Sequence, residues 1–294
     1  MSASLIVLGS ANTDYTVVVD RHPLPGETLL GRDLIVATGG KGANQALAAA
    51  RAGAMPVFVG AVGDDAGGRA MLDALGSGGV DVSSVARLTD APTGVALITV
   101  SRDGENTIVV APGANGRLDA DAVVTTIADL AGPGTVLLSQ LEVPLDVVHA
   151  AARAVATAGG RLVLNLSPAR DVPEDLLALC DPLVVNESEA RATGGASATD
   201  EAGAEDTAQT LATRCRSVVV TLGGAGAVWS DGSQTGRIHA PAVEVVDTTG
   251  AGDAFVGALA AALSDGRPLA DAVETGVAAG SAAVQWLGAQ PPRR

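Results

Sequence analysis

The string Asp247-Thr248-Thr249-Gly250-Ala251-Gly252-Asp253-Ala254-Phe255 carries the most chemistry in the chain. Its small residues open an apolar helical run ending near Leu263, so free backbone N–H groups and the positive end of a helix dipole converge on one point. Such a point favours an anion. If a phosphoryl group is transferred there, the amides of Gly250, Ala251 and Gly252 stabilise charge on the moving oxygens, and Asp253 accepts the proton of an attacking hydroxyl. The competing reading is a Gly-rich turn with Asp253 as an ordinary first-turn acid. An isolated Gly-x-Gly-Asp would favour that reading; the nine-residue string favours a site.

Gly39-Gly40-Lys41-Gly42-Ala43-Asn44-Gln45 contains the only lysine in the sequence, the other 17 of its 18 cationic side chains being arginines. It is neither a P-loop, since Gly follows Lys41, nor a Rossmann glycine fingerprint. Glycines around Lys41 let the backbone approach a polar ligand, while Lys41 and Asn44 offer donors. A solvated lysine in a turn is the alternative, although arginine fills every other solvated cationic position here. Asn12 and Asp14 follow the first apolar run and point towards the carboxyl edge of a parallel sheet, where an amide and a carboxylate can hold vicinal hydroxyls. Glu142 follows another strand and reaches the same edge. Asn186-Glu187-Ser188-Glu189 reads equally as an Mg²⁺- or phosphate-facing segment and as a helix N-cap. Thr221-Leu222-Gly223-Gly224-Ala225-Gly226 ends a strand in a bare turn suited to a nucleotide. The three histidines stand in no recognisable catalytic context.

The elements that must position these groups are legible as Leu- and Val-rich runs: Leu5 to Leu8, Val57 to Val59, Thr135 to Leu138, Leu162 to Leu166, Leu183 to Val185 and Val218 to Leu222. Between most of them lie stretches with helical spacing: Asn44 to Arg51, Ala66 to Leu75, Ala120 to Leu130, Leu145 to Ala158 and Ala208 to Arg214. Two further helices are expected over Ala251 to Leu263 and Leu269 to Trp286. Alternating strand and helix predicts an α/β fold, a mostly parallel sheet covered on both faces. Residues 15–38 and 93–111 break the rhythm with strand-like alternation and predict a small inserted β flap within one domain spanning residues 1–294. Such a flap is unstable alone, so it covers a cleft or pairs with another flap.

The charge balance, 18 Lys and Arg against 33 Asp and Glu for a net charge of -15, argues against a nucleic-acid partner. No apolar run is long enough to cross a membrane, and the chain enters its first strand without a basic leader, so a soluble cytoplasmic protein is expected. Cys180 and Cys215 lack metal-ligand spacing and read as small buried apolar residues. With aromatic residues at 2%, stacking platforms for a base are scarce.

Taken in order, these strings resemble the ribokinase (PfkB) family of carbohydrate kinases over almost the whole chain. The resemblance also rests on Gly9 to Asp14, Pro25-Gly26-Glu27, Thr93 to Ala96, Gly104-Glu105-Asn106, Gly113-Ala114-Asn115, Gln140-Leu141-Glu142 and Gly288 to Pro291. It implies a three-layer sandwich with a β lid that closes over a sugar and clasps a second copy, giving a homodimer. It implies that Asn12, Thr13, Asp14, Gly40, Lys41, Gly42, Asn44 and Glu142 contact the sugar. Asp253 is then the base, Gly250 to Gly252 the anion hole, and Asn186 with Thr221 to Gly226 the ATP contacts. By the same likeness Glu189 acts near Mg²⁺, and Asp247 with backbone at Thr249, Ala283, Trp286 and Gly288 holds a monovalent cation, usually K⁺. Pro292 stands where the family usually places a Ser at that cation, and Val277 where a His or Asn often lies near adenine. The implied reaction is ATP-dependent phosphorylation of D-ribose at O5. A kinase of the same family for nucleoside, fructose or deoxyribose, and a non-catalytic sugar-binding sensor, are the alternatives.

Overall fold

The computed structural model describes residues 2–194 and 201–290, the side chains of residues 201 and 202 excepted. Its strands are β1 (Leu5–Leu8), β2 (Asn12–Val18), β3 (Ile35–Gly39), β4 (Val57–Gly63), β5 (Val85–Leu88), β6 (Gly94–Val100), β7 (Asn106–Ala111), β8 (Val136–Ser139), β9 (Arg161–Asn165), β10 (Cys180–Asn186), β11 (Val218–Thr221), β12 (Ala227–Ser230) and β13 (Thr235–Ile238). The helices are α1 (Lys41–Arg51), α2 (Ala66–Ser77), α3 (Ala120–Leu130), α4 (Leu145–Thr157), α5 (Glu174–Leu177), α6 (Glu187–Ala192), α7 (Glu201–Leu211), α8 (Ala251–Ser264) and α9 (Leu269–Ala283).

Nine strands form one sheet in the order β13-β12-β11-β10-β9-β8-β1-β4-β5, parallel from β11 through β5, with the β12–β13 hairpin antiparallel at one edge. The strand sequences explain the layering. In β1, Leu5 and Val7 join one apolar cluster with residues of α1, α2, α8 and α9, while Ile6 and Leu8 join a second with residues of α3 to α7. Both faces are therefore buried, and the strand reads as a continuous apolar run because neither side meets water. Each such side chain contributes roughly 1.5–3 kcal/mol by leaving water.

A second sheet, ordered β3-β2-β6-β7, stands off the body. β2 pairs antiparallel with β3 and parallel with β6, and β6 turns back on β7. The sequence predicts hairpin connections in this flap; β6–β7 is one, whereas β2 and β3 are joined by the long excursion through residues 19–34. Other boundaries also differ. β2 begins at Asn12, so Asn12 and Asp14 belong to the flap's first strand and do not trail β1. Helix α1 begins at Lys41, three residues before the apolar pattern starts, because Gly40 supplies the positive φ of 90° that turns the chain into it. Helix α7 runs from Glu201 to Leu211 where the spacing predicts Ala208 to Arg214, and α9 stops at Ala283, short of Trp286.

Cys180 is buried and Cys215 half-buried; burial pushes both thiols above their usual range, that of Cys215 to about 11. No helix among the described residues is long and apolar enough to cross a membrane.

Candidate active site

Asp253 sits in the first turn of α8 beside a cavity of about 180 Å³, lined also by Lys41, Asn165, Ser167, Asn186, Glu189, Thr221, Gly250 and Gly252. Gly250 caps the helix in a left-handed conformation, φ 76°, and packs so closely on Ala289 that a Cβ would lie 2.5 Å from its Cα. Only glycine fits that turn. Ala251 donates its N–H to the Thr248 carbonyl at 3.2 Å, so this member of the expected anion hole is already partnered.

Both oxygens of the Asp253 carboxylate accept side-chain amide hydrogens, Oδ2 from Asn44 Nδ2 at 3.1 Å and Oδ1 from Gln45 Nε2 at 2.9 Å. Burial raises its pKa; Lys41 and the two amides oppose that, and Glu142 adds to it. Asp14 is raised to about 6, first by burial, then by the charges of Glu142 and Asp253. Its Oδ1 is buried without a hydrogen-bond partner, and its carboxylate rests against Gly39, where a Cβ would lie 1.9 Å from Oδ2. The charges of Glu142 and Asp253 thus bear on Asp14, and that of Lys41 on Asp253.

Backbone and neighbouring side chains set each of these groups. Glu142 Oε2 accepts from Ser10 Oγ at 2.5 Å and from the Lys41 N–H at 3.1 Å, tying the loop after β8 to the start of α1. Asn115 accepts from the Ala11 N–H at 2.9 Å and donates from Nδ2 to Asn12 Oδ1 at 2.8 Å. With its oxygen engaged there, Asn12 presents Nδ2 as its outward donor. Pleating puts Asn12 and Asp14 on one face of β2 and Thr13 on the other. There Thr13 Oγ1 lies against α2, 2.5 Å from where a Cβ on Gly67 would stand. Gly42 packs on the Gly9–Ser10 backbone, where a Cβ would come within 2.6 Å, and so lets α1 approach β1.

Asn186 and Glu189 form a capping box: Asn186 Oδ1 accepts from the Ser188 and Glu189 N–H groups, and Glu189 Oε2 accepts from the Asn186 N–H at 2.9 Å. The N-cap reading of this segment is realised, and both residues also border the cavity. Thr221 lines it at the end of β11, and Leu222 to Gly226 continue through a short 3₁₀ segment closed by the Leu222 N–H to Gly226 carbonyl bond, 2.8 Å. Asp247 accepts from the Thr249 N–H at 2.9 Å and the Gly288 N–H at 2.8 Å, drawing the segment before α8 to the one after α9. Pro292 lies outside the described residues.

Among the contributors to this site without an assigned role in the sequence reading are four side-chain amides, Gln45, Gln140, Asn165 and Asn115. Three fall inside or beside quoted strings, but their partners lie 95 to 208 residues away. Asn165, at the carboxyl end of β9, shares the edge location that singled out Asn12 and Glu142.

A mostly parallel sheet, a second small sheet and a helix N-terminus holding a shielded aspartate define a small-molecule phosphotransferase site. The chain matches the pfkB family carbohydrate kinase model over residues 2–294 and belongs to that family. It is 38% identical over 291 residues to the ribokinase of Haemophilus influenzae, covering 99% of this chain and 95% of that one. With the ribokinase of Staphylococcus aureus it shares 37% over 293 residues, covering 99% and 96%. Among solved structures it superposes on Arabidopsis thaliana ribokinase complexed with ribose and ATP with a TM-score of 0.89, at 32% identity and covering 98% and 95% of the two chains.

Proposed function

We propose that this chain is an ATP-dependent kinase that phosphorylates D-ribose at its 5-hydroxyl, giving D-ribose 5-phosphate and ADP. The observation that carries the reading is the position of Asp253. It is bonded to Asn44 and Gln45, lies within reach of the charges of Lys41, Glu142 and Asp14, and borders the same cavity as Lys41, Asn186, Glu189 and Thr221.

In this reading Asn12, Asp14, Lys41, Asn44 and Glu142 hold the sugar, with the Gly40–Gly42 backbone close behind. Asp14 Oδ1, buried and unpartnered, gains the donor it lacks from a sugar hydroxyl. Asp253 takes the proton as the 5-oxygen bonds to the γ-phosphorus and the bond to the β-phosphate oxygen breaks. Its raised pKa gives it more proton affinity than an exposed aspartate. The N–H groups of Gly250 and Gly252 stabilise the transferring oxygens, that of Ala251 being held by the Thr248 carbonyl. Asn186 and Thr221 to Gly226 receive ATP.

Among the described residues no three potential metal ligands cluster, and the carboxylates at the cavity wall are Glu189 and Asp253. That donor set fits Mg²⁺ delivered on ATP phosphates and held chiefly by phosphate and water oxygens. Bound there, the ion neutralises phosphate charge. Asp247, with carbonyls of Thr249, Ala283, Trp286 and Gly288, offers oxygen donors and one charge, which suits K⁺ or another monovalent cation.

The β3-β2-β6-β7 sheet serves as the lid, and Ile35, Val36, Leu97, Ile108 and Val109, each more than half exposed, are the apolar surface through which two copies clasp. The net charge of -15 supports a protein without nucleic-acid partners.

ADP release measured with ribose, fructose, 2-deoxyribose, adenosine and uridine tests the assignment. Ribose is expected to give the highest kcat/KM. Asp253→Asn is expected to lower kcat about 10²- to 10⁴-fold while ribose binding survives. Preference for a nucleoside, or a fully active Asp253→Asn, contradicts it; no turnover with any sugar supports the sensor alternative.

A further inference from the structure

Behind Asp253 lies a relay of buried amides that the roles above do not use. Gln45 and Gln140 are wholly shielded from solvent. Gln45 Oε1 accepts from Gln140 Nε2 at 2.6 Å, and Gln45 Nε2 donates to Asp253 Oδ1 at 2.9 Å and to Asn165 Oδ1 at 3.0 Å. Both N–H bonds of Gln45 are thereby spent. An amide has one accepting end and one donating end. By holding the oxygen, Gln140 forces the nitrogen onto the carboxylate; turned over, Gln45 would set its oxygen against the Asp253 charge.

Gln140 bears a cost for this arrangement. Its own Oε1 is buried without a partner and packed against Gly9, where a Cβ would lie 2.1 Å away. An unpaired buried acceptor is expensive and calls for a reason. Here it stands at the far end of a relay whose other end is the reacting carboxylate.

We propose that Gln45, locked in one amide orientation by Gln140, is a positioning residue that fixes the rotation of the Asp253 carboxylate towards the acceptor hydroxyl. The proposal rests on the kinase reading above. The groups facing Asp253 are Lys41, Asn44 and Gln45 from α1, Glu142 from the loop after β8, and Asp14 from β2. Of these, Gln45 alone is buried completely and held from behind by a second buried amide.

Gln45→Met keeps the length and removes the donor. Turnover of ribose should fall about tenfold to a hundredfold, the cost of a misplaced reacting group, with the ribose KM within about threefold of the original. The acid limb of kcat should move to higher pH, because a donor to the ionised carboxylate is gone. Gln140→Met, which touches neither Asp253 nor sugar, should change both quantities in the same direction by less, and the double variant should be no worse than Gln45→Met alone. The ¹³C titration of the Asp253 carboxyl in ligand-free protein, assigned with Asp253→Asn, gives a readout independent of turnover and should move up in Gln45→Met. If the titration moves but ribose is no substrate of the parent protein, the positioning role stands and the substrate reading falls. An unmoved titration in folded Gln45→Met, or lost kcat with an unmoved acid limb, overturns the proposal. Should Gln45→Met not fold, unchanged turnover and titration in Gln140→Met overturn it.

Discussion

Asp14 shows what the site costs before a ligand arrives. Its pKa is raised from 3.8 to about 6, chiefly by burial. Below the lower value folded and unfolded chains both hold the proton. Between the two values only the folded chain does, so its contribution to stability falls as pH rises through that window and stays low above it. Asp14→Asn removes this titration. Its stability relative to the parent, read from urea midpoints, is expected to be near parity or below at pH 4 and to improve steadily up to pH 7, while ribose binding is lost. A stability difference that does not vary with pH contradicts the burial account. A stabilising substitution that abolishes binding is the expected signature of a carboxylate kept for function. Of the residue-level picture, Asn12, Asp14, Lys41, Asn44 and Asp253 were legible because glycine-rich strings, a strand end and a solitary lysine mark them. The amides of Gln45, Gln140 and Asn115 were not, since they act through partners far away in sequence.

At the scale of elements, the site depends on how closely α1 approaches α8. A Cβ at Gly257 would come 2.4 Å from the Gln45 carbonyl and 2.6 Å from the Ala48 Cβ, so α8 can lie on α1 only with glycine there. Backbone atoms cannot yield cheaply, and Gly257→Ala is expected to cost about 1–3 kcal/mol and to lower kcat by moving Gln45 and Asn44 away from Asp253. Chemical denaturation and ribose kinetics check this; unaltered stability and turnover would show that the helix contact has slack. Core strands were readable as apolar runs because helices cover both sheet faces. Three strands, β5, β12 and β13, escaped: the edge strands β5 and β13 are only partly buried and carry no clear alternation, and β12 is a four-residue run. The early start of α1 was equally hidden, since Gly40 and Gly42 have low helix propensity and are fixed by packing against the Gly9–Ser10 turn.

For the whole molecule, a net charge of -15 sits beside a reaction on a polyanion. In the proposed reading phosphate recognition falls to local groups: backbone N–H groups at the start of α8 and the metal that ATP brings. The same scale governs assembly. On the proposed lid Val109 is 67% exposed among other apolar side chains, a surface that a second copy would cover. Val109→Glu is expected to shift the protein from dimer to monomer in sedimentation velocity and to raise the ribose KM; a parent protein that is monomeric at micromolar concentration contradicts the clasp. The most direct test of the account follows the product itself. With ribose, ATP and Mg²⁺, ³¹P and ¹³C NMR should show one new phosphomonoester coupled to C5 of ribose, formed in step with ADP and about 10²- to 10⁴-fold more slowly with Asp253→Asn. Phosphate on another carbon, or ADP formed without a sugar phosphate, would contradict it.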